Sequence, residues 1–166
     1  MRTVYPLLLA LLLVVLPACT GDSNPPDEDS ASETTIPFDK EGRLAFVQGR
    51  DTLVSIDIEV ADTDSARERG MMQRDGFPSE KSGMLFPFAE EKTQSFWMAN
   101  TPLALDLFFI NADSQIVRIK KYAQPNTASS ISSNAPAQYV LETGAGFADS
   151  YGIVEGARVR WRRTDQ

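Results

Sequence analysis

The chain has 166 residues, with 16 Lys plus Arg against 23 Asp plus Glu, no His and one Cys. Without His there is no Ser-His-Asp or Cys-His triad and no His-ligated metal centre. A lone Cys excludes an internal disulfide and every CxxC zinc or redox motif. One folded domain is expected at this length, no cofactor is implied, and no metal is assigned, since any metal would have to be a hard cation held by oxygen ligands.

Residues 1–18 read as a secretory signal peptide. Arg2 is a minimal positive start, and Val4 to Leu16 are apolar except for Pro6. That run is shorter than the roughly 20 residues a membrane span requires and fits a signal-peptide core. It ends in Leu16-Pro17-Ala18-Cys19, which resembles a bacterial lipobox whose Cys becomes lipidated. Lipidation would turn the Cys19 sulfur into a thioether and so exclude Cys catalysis as well. Residues 19–42 are then a lipidated, acidic, disordered tether. From Thr20 to Gly42 there are seven acidic side chains and one basic one, too polar to bury enough apolar surface to offset the ordering entropy. As a flexible coil this segment would span about 27 Å and hold the domain away from the lipid.

Residues 43–166 make up the folded part, with 14 basic and 16 acidic side chains. Arg43 to Gln48 and Leu53 to Ala61 form a hairpin through Gly49-Arg50-Asp51. Val54, Ile56, Ile58 and Val60 line one face of the second strand with period two. Asp62 to Arg69 is a short helix, with Ser65 and Glu68 in capping-box spacing and Gly70 as its stop. Strands follow at Met84 to Phe88, Ser95 to Met98, Leu103 to Ile110, Gln115 to Tyr122 and Gln138 to Glu142, with a turn at residues 111–114. Residues 123–137 have no period and read as a long loop. Gly144 to Tyr151 is a second short helix ended by Gly152. Ala157 to Arg163 alternates again, Val159 and Trp161 inward, Arg158, Arg160 and Arg162 outward. The expected class is α+β and β-rich: a single barrel-like domain of about seven or eight short strands with two short helices.

Several strings carry a family resemblance: Arg69-Gly70-Met71-Met72, Gly83-Met84-Leu85-Phe86, Phe96 to Thr101, Leu105-Asp106, and Ala135 to Glu142. Their order and spacing, over roughly Val54 to Trp161, resemble the bacterial and archaeal DUF192 family, a domain of unknown function. Ala99 stands where the family usually has Lys, and Ala104 where it usually has Pro, so no role of that Lys carries over. The resemblance implies a fold and supplies no reaction.

Asp106 sits in Leu103-Ala104-Leu105-Asp106-Leu107-Phe108-Phe109-Ile110, with apolar neighbours on both faces. A carboxylate there must be paired or hydrogen-bonded, or become neutral. It is either a ligand anchor or a structural partner of Arg69 or of backbone N–H groups near Asn100 and Thr101. Glu142 is the second such carboxylate. Were the two to converge, they would form the one available acid–base pair. Trp97 could line an apolar platform with Tyr122 or Tyr139. The ligand-binding candidates are Arg69, Trp97, Asn100, Thr101, Asp106, Tyr139 and Glu142. Asp62 and Asp64 match a metal-binding Asp-x-Asp spacing but read first as the polar start of a helix. Met71, Met72, Met84 and Met98 could offer thioethers to Cu(I) but read first as core filler, and the arginine stripe reads as a solvated strand face.

The sequence therefore points to an exported lipoprotein, anchored through Cys19 and facing the periplasm or cell surface. Thr20, rather than Asp, after Cys19 favours the outer membrane by resemblance to enterobacterial lipoproteins. Its expected activity is non-catalytic binding of a small ligand, an envelope polymer or a protein, with no nucleic-acid partner. The alternative is a glycosidase-like hydrolase using Asp106 and Glu142.

Overall fold

A computed structural model describes residues 36–164. The expected signal peptide, Cys19 and most of the acidic tether lie outside the described residues. Strand β1 (Gly42–Gln48) and strand β2 (Asp51–Val60) form the expected hairpin, with Leu44 opposite Ile56 and Phe46 opposite Val54. The β2 alternation buries Val54, Ile56, Ile58 and Val60 together. The short helix α1 (Asp64–Arg69) then carries the chain over to strand β3 (Ser82–Phe96), which runs parallel to β2. At Gly83 a Cβ would lie 2.8 Å from the Glu142 backbone oxygen, so a side chain there would push β3 off its neighbour.

The remaining strands are β4 (Leu105–Ile110), β5 (Ile116–Ala123), β6 (Ile131–Gly144) and β7 (Arg158–Arg163), with helix α2 (Phe147–Ser150) before the last. They complete one seven-stranded sheet in the order β5-β4-β6-β3-β2-β1-β7, antiparallel at every junction except β2–β3. Twist curls the sheet until its edges touch at one bridge, Gln115 to Arg158, flanked by Ile116 N–H to Ala157 O at 2.8 Å. The β-rich α+β class holds, with seven strands and two short helices. A single bridge leaves the sheet a curled, open one, so "barrel-like" describes it only loosely.

Two cores explain why β4 is apolar on both faces. Inside the curl, Phe46, Ile58, Leu85, Phe108 and Leu141 pack with Phe147 and Ala148 of α2. On the outer face of β3, β6 and β4, a second core gathers Met71, Met84, Met98, Phe86, Leu107 and Phe109. All six β4 residues are buried between the two.

Four local expectations are corrected. The segments 84–88 and 95–98 belong largely to one 15-residue strand, because β6 continues alongside and pairs Ser132 with Ser95 and Ile131 with Phe96. Residues 131–137 are accordingly strand rather than loop. Asn134 at φ 56° and shifts of register break the alternation that would have marked them. The α1 cap is Thr63, whose Oγ1 accepts from Ala66 N–H at 3.2 Å, because the helix starts two residues earlier than a Ser65 cap would require. The packed domain also begins before residue 43. Glu41 Oε2 accepts from Val60 N–H at 2.8 Å, Lys40 pairs with Asp57 at 2.9 Å, and the Phe38 ring meets Phe77 edge-on.

Candidate functional site

A cleft of about 470 Å³ opens on the outer face of the sheet, above the second core. Its floor comes from alternate residues of β3, namely Phe86, Phe88 and the nearby Phe96, together with Glu142 of β6. The rings hold one another edge-to-face, Phe86 with Phe96 at 5.2 Å and Phe88 with Phe96 at 6.3 Å. One wall is α1 and the turn after it, contributing Arg67, Arg69, Met71 and Met72. The other is Trp97, Thr101 and Ser130, with Ser95 Oγ and Ser130 Oγ 2.7 Å apart at the rim.

The first wall is fixed by the helix stop at Gly70 and by side-chain contacts that no sequence pattern announces. Gly70 turns the chain at φ 48°, where a Cβ would press on the Phe86 ring at 3.3 Å. Arg74, buried in a polar stretch, makes a bidentate ion pair with Glu59 of β2 at 2.6 and 2.8 Å and pins the turn to the sheet. Arg67 spans the wall: it donates to Pro87 O at 3.1 Å, pairs with Asp64 at 2.7 Å and lies 5.7 Å over the Phe88 ring. The second wall is tied down through Met98 N–H to Thr127 O at 2.9 Å and Asn126 N–H to Thr101 O at 3.0 Å, while Gln73 N–H to Asn100 O at 2.9 Å links the two walls.

Glu142 is the unusual group. It stands between Met84 of β3 and Leu107 of β4 on the cleft side of β6, and only 4% of it is exposed. Its carboxyl makes no hydrogen bond or ion pair among the described residues, and burial alone pushes its pKa up to about 8. At neutral pH it is therefore mostly a neutral acid with unfilled hydrogen-bonding capacity, facing an open, aromatic cavity.

Asp106 is placed otherwise. It alternates with Leu105 and Leu107, so its carboxyl enters the first core while Glu142 faces the second. Its Oδ1 accepts from Tyr122 N–H at 2.9 Å and its Oδ2 from Ala148 N–H at 3.0 Å. The first donor is free because β5 bulges opposite Asp106, with Tyr122 at φ 51°. The second is an otherwise uncapped N–H of α2, whose N-cap is Gly146. Asp106 is thus a structural carboxylate, and its partners are these two amides rather than Arg69 or the Asn100–Thr101 backbone.

Of the seven ligand-binding candidates, the cleft brings together Arg69, Trp97, Thr101 and Glu142. Asp106 and Tyr139 lie on the opposite face, where Tyr139 packs edge-on against Trp161 at 6.1 Å. Asn100 holds a tight turn at φ 54° with its side chain outside the cleft. Because adjacent strand residues face opposite ways, Asp106 and Glu142 cannot converge, and the proposed acid–base pair is not formed. Met71, Met84 and Met98 are packed into the second core. No group of three or more acidic or Cys side chains able to hold a metal occurs among the described residues.

The chain belongs to the DUF192 family, described as an uncharacterized ACR, which it matches over residues 45–161. Several solved structures share its fold, and two illustrate the likeness. One, from Sinorhizobium meliloti 1021 and provisionally assigned as a transcription regulator, is 35% identical. The match has a TM-score of 0.70 and covers 76% of this chain and 96% of that one. The other, a protein of unknown function from Novosphingobium aromaticivorans, is 27% identical with a TM-score of 0.68, covering 72% and 84%. No curated protein matches the chain.

Proposed function

We propose that this protein is a non-catalytic binding domain, exported and lipid-anchored through Cys19, that holds a small ligand in the cleft between α1 and Trp97. The observation that carries the reading is Glu142: a buried carboxyl without a partner at the floor of an aromatic cavity. With no structural partner and an open cavity before it, the group is placed to meet something from outside. Trp97 supports the same reading, since it stands 57% exposed at the mouth although its ring is large and apolar. Export and anchoring rest on the apolar leader and on Leu16-Pro17-Ala18-Cys19. Among the described residues no helix is long and apolar enough to cross a membrane.

Methyl and indole NMR of the full chain against a diverse set of small aryl and alkyl compounds tests the binding. A ligand should shift Met71, Met72 and Trp97 saturably and leave Trp161 unmoved, and Trp97→Ala should weaken it. Compounds that perturb only Trp161, or none that saturates at the cleft, would refute the assignment.

A further inference from the structure

Resting on the reading of the cleft as a binding site, we infer that its ligand is an amine: an ammonium group, primary or quaternary, on an apolar body, seated against the ionised Glu142 carboxylate and the surrounding aromatic faces.

Three observations lead there. The only deeply buried charge-bearing group on the floor is an acid, and an incoming cation is the partner that offsets its desolvation most fully. The remaining lining is aromatic, Phe86, Phe88 and Phe96 with the exposed Trp97 at the edge, and an aromatic ring turned face-on to a ligand attracts a cation and repels an anion. One of those rings already takes a cation, the Arg67 guanidinium over Phe88. That guanidinium is committed to Asp64, Asp62 O and Pro87 O and does not reach Glu142.

The other charges that face the cleft come from α1. Asp64 and Arg67 neutralise each other, and exposed Glu68 and Arg69 stand side by side at the mouth, so the rim presents no net charge to an approaching ammonium. No charged side chain of β3 or of the Trp97–Thr101 wall lines the cleft. The proton accounting follows from the raised pKa of about 8 in the empty cleft. Binding below that pH converts Glu142 from acid to carboxylate and releases its proton to solvent, with no other bond made or broken. Affinity should therefore rise about tenfold per pH unit between pH 6 and 7 and level off above 8.

The test uses the full chain and three probes of one shape: phenethylamine, 2-phenylethanol and phenylacetate, with trimethyl(phenethyl)ammonium as the quaternary form. Calorimetry in buffers of different ionisation enthalpy counts protons. At pH 7 either ammonium should release about 0.9 proton on binding, bind at least tenfold tighter than the alcohol, and quench Trp97. Glu142→Gln should lose both the proton release and the pH dependence. If the alcohol or phenylacetate quenches Trp97 saturably and the ammonium probes do not, the amine inference falls while the cleft remains a binding site. If ammonium binds without proton release, or equally well to Glu142→Gln, Glu142 is not its partner and the inference falls. If none of the four binds, the inference falls and the cleft assignment loses its support with it.

Discussion

Replacing Asp106 by Ala removes the acceptor for two amides at once, Tyr122 N–H in the β5 bulge and Ala148 N–H at the start of α2. A hydrogen bond to a charged group contributes about 1.5–3 kcal/mol, and the buried Ala148 amide has no route to water. The Tyr122 amide is better placed to recover some hydration, because that residue is half exposed. The expected loss is therefore about 3–5 kcal/mol, a large share of the roughly 5–15 kcal/mol that holds a domain together. Asp106→Asn should cost less, since one oxygen still accepts while the new NH₂ faces the second amide. Urea unfolding followed by tryptophan fluorescence measures both variants, and hydrogen exchange at Tyr122 and Ala148 localises the effect. Asp106→Ala within about 1 kcal/mol of wild type would refute the structural role.

Three further outcomes are expected. Glu142 has a folded pKa of about 8 against an ordinary value of 4.5, so its contribution to stability is fully present below about pH 4.5 and is lost as pH rises towards 8; Glu142→Gln should track wild type at pH 4 and be more stable at pH 9 by a few kcal/mol, which paired denaturation curves at the two pH values would check, and equal curves at pH 9 would contradict. Gly83→Ala should destabilise by about 1–3 kcal/mol, because its Cβ meets the Glu142 backbone oxygen at 2.8 Å; a thermal midpoint equal to wild type would show that the strands can spread without cost. Cys19→Ala should move the protein from the detergent phase to the aqueous phase of a cell extract, and equal partitioning of mutant and wild type would contradict lipid anchoring.

The sheet was legible wherever burial is one-sided. In β2 and β7 a single face is apolar, and the period of two gave both the strand and its orientation. It failed where strands leave that regime. The far ends of β3 and β6 pair through Ser, Thr and Pro residues with shifted register, so no alternation marks them. The apolar surroundings of Asp106 and Glu142 were visible in the sequence, but their separation depends on strand parity across β4 and β6. One residue of register decides whether two carboxyls meet or face opposite cores. Asp106 finds its partners on β5 and α2, at sequence separations of 16 and 42, and neither a bulge nor a helix whose own N-cap is Gly leaves a local signature. In sequence, Phe86, Phe88 and Phe96 look like any buried aromatic run. Only the placement of α1, through Gly70 and the Arg74–Glu59 pair, leaves a cavity above them.

In the ligand-free protein, Glu142 stands uncharged and without a protein partner on the floor of the cleft. This is tested most directly by following the Glu142 side-chain carboxyl carbon by NMR through a pH titration of the ligand-free full chain, assigned by its absence in Glu142→Gln. The expected midpoint is about 8. A midpoint near the ordinary value of 4.5 would mean that water or another side chain already satisfies the carboxyl, and would overturn the placement of Glu142 as an uncharged group awaiting a ligand.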